Sequence, residues 1–317
     1  MKNKVLLCFV ALCCLFCVNP TTKFTKAHAI ENANNTSNRD AKYTGSNAYI
    51  SYDFNNNVTD KYGHSTLEIL GKGDPGNDSH SYGNDSTGSY WTWKTTAPAG
   101  GGFKLNIDKR LSQYTIGMKF SFSETGSGNI NGYRKIIDYS NRKKDKGFCF
   151  YYNKLKYYDT QYTSTEGKKS VQNNEIIDLI IQRATDNSCK AYIVDAQGNA
   201  ILDLTFDDRN GECIPFYDGA KSILGFFFED NSSGEVTPSG KVYMLKMWDS
   251  VEDLDYVVTE LRDIEAIIGK IKYNRLNKAL EAAKDGETIK IVKDQVTAVD
   301  NATLKQGVTL EDKTGQT

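Results

Sequence analysis

The sequence predicts an all-β protein, a two-sheet sandwich or barrel, and three observations predict it. Large residues recur with a period of two, as in Tyr114, Ile116, Met118, Phe120 and Phe122, which places them on one face of an extended strand. Turn clusters such as Gly126-Ser127-Gly128, Gln197-Gly198-Asn199 and Asn231-Ser232-Ser233-Gly234 punctuate similar runs. No helical pattern interrupts the series between Ala48 and Ser250, and roughly 200 residues of regularly spaced strands suit one large all-β domain.

The elements follow in order. Lys2 and Lys4 precede an apolar run over 5–18, and Ala27-His28-Ala29 supplies a small-x-small cleavage pattern, so 1–29 reads as a signal peptide cut after Ala29. The expected product is secreted, extracellular or held at the cell surface. The apolar run, about 14 residues, is shorter than the roughly 20 that span a bilayer, and no later segment reads as a span. Residues 30–47 form a polar leader. Strand-like runs then occupy 114–122, 133–139, 147–152, 175–183, 190–195, 200–206, 222–228 and 241–248. From Ser250 the period becomes helical, with Leu254, Val257, Val258, Leu261, Ile264, Ile267 and Ile268 on one face and Ser250 as the expected cap. A second helix carries Leu276, Ala279, Leu280 and Ala283 and stops at Gly286. Strands at 288–292 and 303–310 follow. The expected divisions are therefore 48–250 for the β domain, 251–272 for the helix and linker, and 273–317 for a small α+β segment.

Charge narrows the function. The chain has 39 basic and 40 acidic residues, and 1–29 holds four lysines and no acid, so residues 30–317 carry 35 against 40, or −5. That balance speaks against a nucleic-acid binder, which needs a basic face. Four of the seven cysteines fall in 1–29, leaving Cys149, Cys189 and Cys213, an odd number that cannot all pair in one chain. Cys149 and Cys189 sit in strand-like runs where they could be neighbours; the other reading is three buried thiols acting as small hydrophobes.

The run Tyr52-Asp53-Phe54-Asn55-Asn56-Asn57-Val58-Thr59-Asp60-Lys61-Tyr62-Gly63 resembles the opening strand and turn of laminin G-like, concanavalin A-like lectin and glucanase jelly rolls. The resemblance continues in order through Tyr133-Arg134-Lys135-Ile136-Ile137-Asp138-Tyr139-Ser140-Asn141-Arg142, Gly147-Phe148 and Asn153-Lys154-Leu155. It extends through 177–183, 190–195, 225–230 and 240–248, and so covers about 48–250. It implies a two-sheet antiparallel jelly-roll β-sandwich. Family members that bind calcium use oxygens from the opening turn, which makes Asp53, Asn55 and Asp60 the candidate ligands for Ca²⁺, a hard cation. Asp and Asn in turns also bond their own backbone, which is the competing role. Tyr243 stands where the family's closing strand commonly has an acid, a departure that speaks against the calcium site. Residues 274–310 are similar to the start of pectin-lyase-like β-helices, but a solenoid needs about three repeats and the pattern supplies one or two.

Catalytic patterns are missing. Retaining glycosidases need two carboxyls about 5 Å apart, and no strand carries a Glu-x-Asp-x-x-Glu arrangement. Asp207-Asp208 and Glu229-Asp230 are adjacent pairs, which point to opposite faces of a strand. His64 and His80 lie in polar loops, and no nucleophile elbow, zinc array or phosphate loop is present. Aromatic and polar residues remain, a combination that stacks on sugar rings and bonds their hydroxyls. The candidates are Trp91, Trp93, Tyr133, Arg134, Asp138, Asn141, Tyr157, Glu229 and Asp230, with Tyr158 and Tyr162 nearby. Trp91 and Trp93 share a face, either a stacking platform or half a core layer. The expected function is a secreted, non-catalytic carbohydrate-binding or adhesion module, with a glycan or surface polysaccharide as partner and no cofactor beyond Ca²⁺. One alternative is a glycoside hydrolase or polysaccharide lyase, favoured if Asp138, Glu229 and Asp230 converge in a groove; a second is a protein-interaction domain of a surface protein.

Overall fold

A computed structural model describes residues 23–25, 45–70, 79–94, 101–123, 133–158, 166–228, 238–293, 296–297 and 300–313. The chain divides into two compact units, one of 47–194 and 200–252, the other of 1–46, 195–199 and 253–317.

The first unit is an antiparallel β-sandwich. In chain order its strands begin with β1 (Ile50–Tyr52), β2 (Ser65–Ile69), β3 (Ser79–Asp85), β4 (Gly88–Lys94) and β5 (Phe103–Ile107). There follow β6 (Tyr114–Phe122), β7 (Arg134–Asp138), β8 (Gly147–Tyr151), β9 (Lys154–Tyr158) and β10 (Glu166–Ser170). The last are β11 (Ile177–Arg183), β12 (Ser188–Val194), β13 (Ala200–Asp207), β14 (Phe216–Asp218), β15 (Lys221–Phe226) and β16 (Gly240–Trp248). One sheet has the order β13-β12-β11-β6-β16-β4-β3, with β1 also on β16; the other has β10-β9-β8-β7-β15-β5-β2, with β14 also on β15. Neighbours such as β16 and β4 are far apart in sequence, the crossovers expected when two antiparallel sheets share one chain.

A single apolar core lies between the sheets, and its middle is aromatic. Trp91 and Trp93 stack with ring centroids 5.6 Å apart, Trp93 stacks on Phe227 at 4.5 Å, and Trp91 meets Phe103 edge-on at 5.7 Å. The two indoles are 0% and 2% exposed, so β4 contributes half a core layer, and the platform reading of Trp91 and Trp93 is set aside. Trp93 satisfies its N–H on the Pro238 carbonyl at 3.1 Å. The strand runs read from period-two alternation coincide with β6, β7, β8, β11, β12, β13, β15 and β16 to within about two residues.

The second unit holds helices α1 (Leu254–Arg262) and α2 (Leu276–Ala282) and the strands β17 (Ala266–Ile268), β18 (Ile271–Tyr273), β19 (Thr288–Ile291) and β20 (Thr309–Asp312). These form a sheet of order β18-β17-β19-β20, in which β19 and β20 run parallel. Two further short strands, Lys23–Thr25 and Asp300–Thr303, pair antiparallel. The remainder of 1–29, and the leader up to residue 44, lie outside the described residues. Two expectations are corrected here. The helix from Ser250 is shorter than the apolar periodicity implied: Asp253 caps it, and Asp263 ends it in the left-handed region at φ 54°. Ile264 lies beyond that cap, and Ile267 and Ile268 belong to β17. The strand expected over 303–310 is instead two strands separated by a turn. Among the described residues no helix is long and apolar enough to cross a membrane.

Candidate functional site

The opening turn comes first, because it carries the candidate calcium ligands. Asp60 is buried, and its carboxylate accepts from the Ser51 and Tyr62 amides on Oδ1 and from the His64 amide, the Ser65 amide and the Ser65 hydroxyl on Oδ2, all at 2.8–3.2 Å. Five donors aimed at one carboxylate satisfy its charge, leaving no lone pair directed at a cation. Asp53 Oδ1 accepts from the Asn55 amide at 3.1 Å, and Asn55 Oδ1 from the Ser89 hydroxyl at 3.3 Å. The three side chains therefore build the turn and do not fit a Ca²⁺ shell. Among the described residues no group of three His, Cys, Asp or Glu side chains could hold a metal. Lys241 and Tyr243 on β16 both donate to Asp85 Oδ2, at 2.8 and 3.0 Å, so the acid facing this part of the closing strand is carried by β3.

The remaining candidates cluster on β7–β9, and register sorts them. Arg134 pairs with Phe150, and Leu155 with Phe150 from the other side, so these three side chains share a row. Phe148, Phe150, Leu155 and Tyr157 are core residues. The next row, Lys135, Cys149 and Lys156, points away from the core, as does the row of Tyr151 and Lys154. Arg134 is thus corrected from a surface ligand to a buried guanidinium lying 5.5 Å from the Phe122 centroid and 5.2 Å from Phe150. Nη2 donates to Asn153 Oδ1 at 3.0 Å; Nε and Nη1 find no partner among the described residues. Burial pushes its pKa down to about 10, against the opposing pull of Glu175. Tyr157 is buried too, with its hydroxyl donating to the Glu212 carbonyl at 2.6 Å. Asp138 is 1% exposed and closes the turn after β7, accepting from the Ser140 amide and hydroxyl and the Arg142 amide at 2.9–3.1 Å. Asn141 stands in that turn, half-buried, at φ 52°. Glu229, Asp230 and Tyr162 lie outside the described residues.

What gathers on the outward rows is a set of tyrosines. Tyr133 lies 4.3 Å from Tyr151 between ring centroids and meets Tyr158 edge-on at 6.0 Å. Tyr151 in turn meets Tyr152 at 4.3 Å, and Lys156 Nζ sits 4.8 Å from the Tyr151 centroid. Tyr152 occupies the β8–β9 turn at φ 45° and is 65% exposed. Burial, reinforced by Cys149, Tyr151, Tyr158 and Asp145 nearby, pushes the Tyr133 phenol well up, so it donates rather than ionises. Lys135 is buried and paired with Asp145 beside it. Gly147, opposite Tyr158, has φ 147°, and a Cβ there would collide with the Ile137 carbonyl. The face therefore presents four tyrosine rings in contact, with the Lys156 ammonium group against one of them.

Tyr152 and Tyr151 were missed by the sequence reading, although the Tyr151-Tyr152-Asn153 string, aromatic residues followed by a turn former, was available as a signal. The cysteine pairing is also corrected. Cys149 lies on the outward row of one sheet and Cys189 in the core on the other, and all three cysteines are buried thiols. Cys189 and Cys213 are both buried in the core of the sandwich as free thiols, and burial, with Cys189 and Asp208 nearby, pushes the Cys213 thiol well up.

No family model matches the sequence, and no curated protein sequence matches it. Solved structures with similar strand arrangements include domain 4 of AbnA, a GH43 extracellular arabinanase from Geobacillus stearothermophilus, in complex with arabinotriose. It aligns at TM-score 0.44 and 11% identity, covering 67% of this chain and 96% of that one. The botulinum neurotoxin type G receptor-binding domain aligns at 0.43 and 13%, covering 68% of this chain and 51% of that one. For the Trypanosoma rangeli sialidase the values are 0.46 and 8%, with 70% and 34% covered. This chain thus spans about half of the toxin domain and a third of the sialidase, and at these identities the likeness concerns the fold alone.

Proposed function

We propose that this protein is a carbohydrate-binding module of the laminin G-like jelly-roll kind, exported by its N-terminal signal and acting outside the cell or at its surface. The observation that carries the reading is the cluster of Tyr133, Tyr151, Tyr152 and Tyr158 on the outward rows of β7–β9. Core aromatics in a sandwich explain themselves by burial, but four rings in contact on the solvent side of a sheet do not. Rings of this kind stack on the apolar faces of pyranoses or furanoses while phenols and lysines bond the hydroxyls. The test is calorimetric titration of the protein with soluble polysaccharides, comparing wild type with Tyr152→Ala and Tyr151→Ala. Each substitution is expected to weaken binding about tenfold, the scale of one lost stacking contact, with the melting temperature within a few degrees of wild type. Binding that survives the double substitution unchanged would move the site elsewhere; no binding to any polysaccharide would remove the reading.

A further inference from the structure

The tyrosine face is also the most basic part of the chain in sequence terms. Residues 133–172 hold ten basic and four acidic residues, a net of +6, whereas the whole chain is −1; everything outside this stretch therefore sums to −7. The acids here are occupied. Asp138 is locked into its turn, Asp145 is paired with Lys135, and Glu166 stands 3.8 Å from Lys154. Asp159 lies outside the described residues. Two of the basic side chains stand at the rings, and two more are exposed in the β7–β8 turn, where Lys143 packs on Phe216. Lys156 sits against Tyr151, Lys154 occupies the outward row next to it, and Lys143 and Lys144 are exposed in the turn that carries Asp145.

We infer that the occupant of this face is an acidic polysaccharide, one bearing carboxylates or sulfates, rather than a neutral one. The inference rests on the proposed carbohydrate-binding function and specifies its ligand class. Phenols serve neutral and acidic sugars alike, but the ammonium groups beside them only donate, and an anionic oxygen is the acceptor that suits them best. A repeating anion matches it: each residue of the polymer can stack on a tyrosine while its charged group meets a lysine. Lys154 and Lys156 beside the rings, on a molecule whose remaining sequence is acidic, also favour the approach of a polyanion to this face.

The experiment titrates the protein with polygalacturonate, dextran sulfate, neutral dextran, neutral arabinan and the single-stranded polynucleotide poly(dT), each at 50 and 300 mM NaCl. The expected result is binding to polygalacturonate, to dextran sulfate or to both at least tenfold tighter than to either neutral polymer. That binding should weaken several-fold at the higher salt. The two acidic polymers distinguish carboxylate from sulfate. Lys156→Gln is expected to weaken acidic binding three- to tenfold, and Tyr151→Phe to leave the salt dependence unchanged. Equal binding to neutral and acidic polymers with no salt effect would overturn the charge inference and leave the carbohydrate reading standing. Binding to none of the four polysaccharides would overturn both. Poly(dT) binding as tightly as the acidic polymers, and competing with them, would reassign the face to nucleic acid.

Discussion

Asp60 shows how one side chain can look like a ligand in a sequence and act as a hub in a structure. Its two oxygens gather amides from Ser51, Tyr62, His64 and Ser65, four backbone groups that would otherwise be unpaired where β1 leads into β2. Removing the carboxylate leaves several donors stranded at once. Asp60→Ala is therefore expected to cost about 3 kcal/mol or more in urea unfolding, since bonds to a charged acceptor are worth about 1.5–3 kcal/mol each and do not simply add. The same geometry predicts that wild type melts at one temperature in EDTA and in calcium; a rise of several degrees with calcium would restore the metal site. Residue type and spacing were legible here, but the choice between metal and backbone was not. Both roles want an anionic oxygen in a turn, and only the direction of the surrounding N–H groups separates them. Trp91 and Trp93 pose the same problem. Alternation shows that they share a face, but which face meets the opposite sheet depends on Phe103 and Phe227, residues that come together only in the folded chain.

At the scale of elements, strands were read more faithfully than helix ends. The apolar series Leu254, Val257, Val258, Leu261, Ile264, Ile267, Ile268 fits one helix face, yet the helix stops at Arg262 because Asp263 adopts the left-handed conformation, which Asp tolerates better than most residues. Lys293 and Arg275 pair with the Asp263 carboxylate and hold the break in place. A short buried strand such as β17, with all of Ala266–Ile268 buried, continues the apolar signal past the break, so periodicity alone misses the switch. The start of α1 makes a clean prediction. Asp253 accepts from the Asp255 and Tyr256 amides at 2.9 and 3.2 Å, so Asp253→Ala is expected to lower stability by about 1 kcal/mol, whereas Ser250→Ala spares the helix cap. Equal effects of the two would return the cap to Ser250. The pairing of β7 with β8 makes a second prediction. Gly147→Ala brings a Cβ against the Ile137 carbonyl at φ 147°, so it is expected to lower the melting temperature by more than ten degrees, or to prevent folding, and to abolish polysaccharide binding with it. A folded Gly147→Ala protein with wild-type binding would show that the tyrosine face does not depend on this register.

For the whole molecule, the overall charge conceals what the local charge reveals. A net of −5 over residues 30–317 speaks against a nucleic-acid binder, but a total does not show that ten basic and four acidic residues fall in 133–172; a running count along the chain does. The acidic remainder of the molecule sets its response to pH. Burial alone would raise Asp85, Asp108, Glu175 and Asp263, but hydrogen bonds from Lys241 and Tyr243, from Tyr49 and His64, from Lys169 and the Gln172 amide, and from Lys293 and Arg275 outweigh it and hold all four below the ordinary carboxylate range. A carboxyl whose folded pKa lies below its unfolded value stabilises the fold above the unfolded value and loses that contribution as the pH falls through it. With ordinary values near 4, the melting temperature is expected to hold between about pH 8 and 5 and to fall below about pH 4. Asp138 works in the opposite sense: burial raises it above its ordinary value, so acid relieves rather than costs the fold at that position. The four depressed groups are all partly exposed, so each contributes little and salt screens it. The acid limb should accordingly flatten in 0.5 M NaCl, and Asp85→Asn should remove part of it while leaving the melt at pH 7 lowered only slightly. Calorimetry at pH 7, 5, 4 and 3, at both salt concentrations, checks the sign; a melting temperature that climbs below pH 4 would mean that the buried carboxyl and not the paired ones governs acid stability.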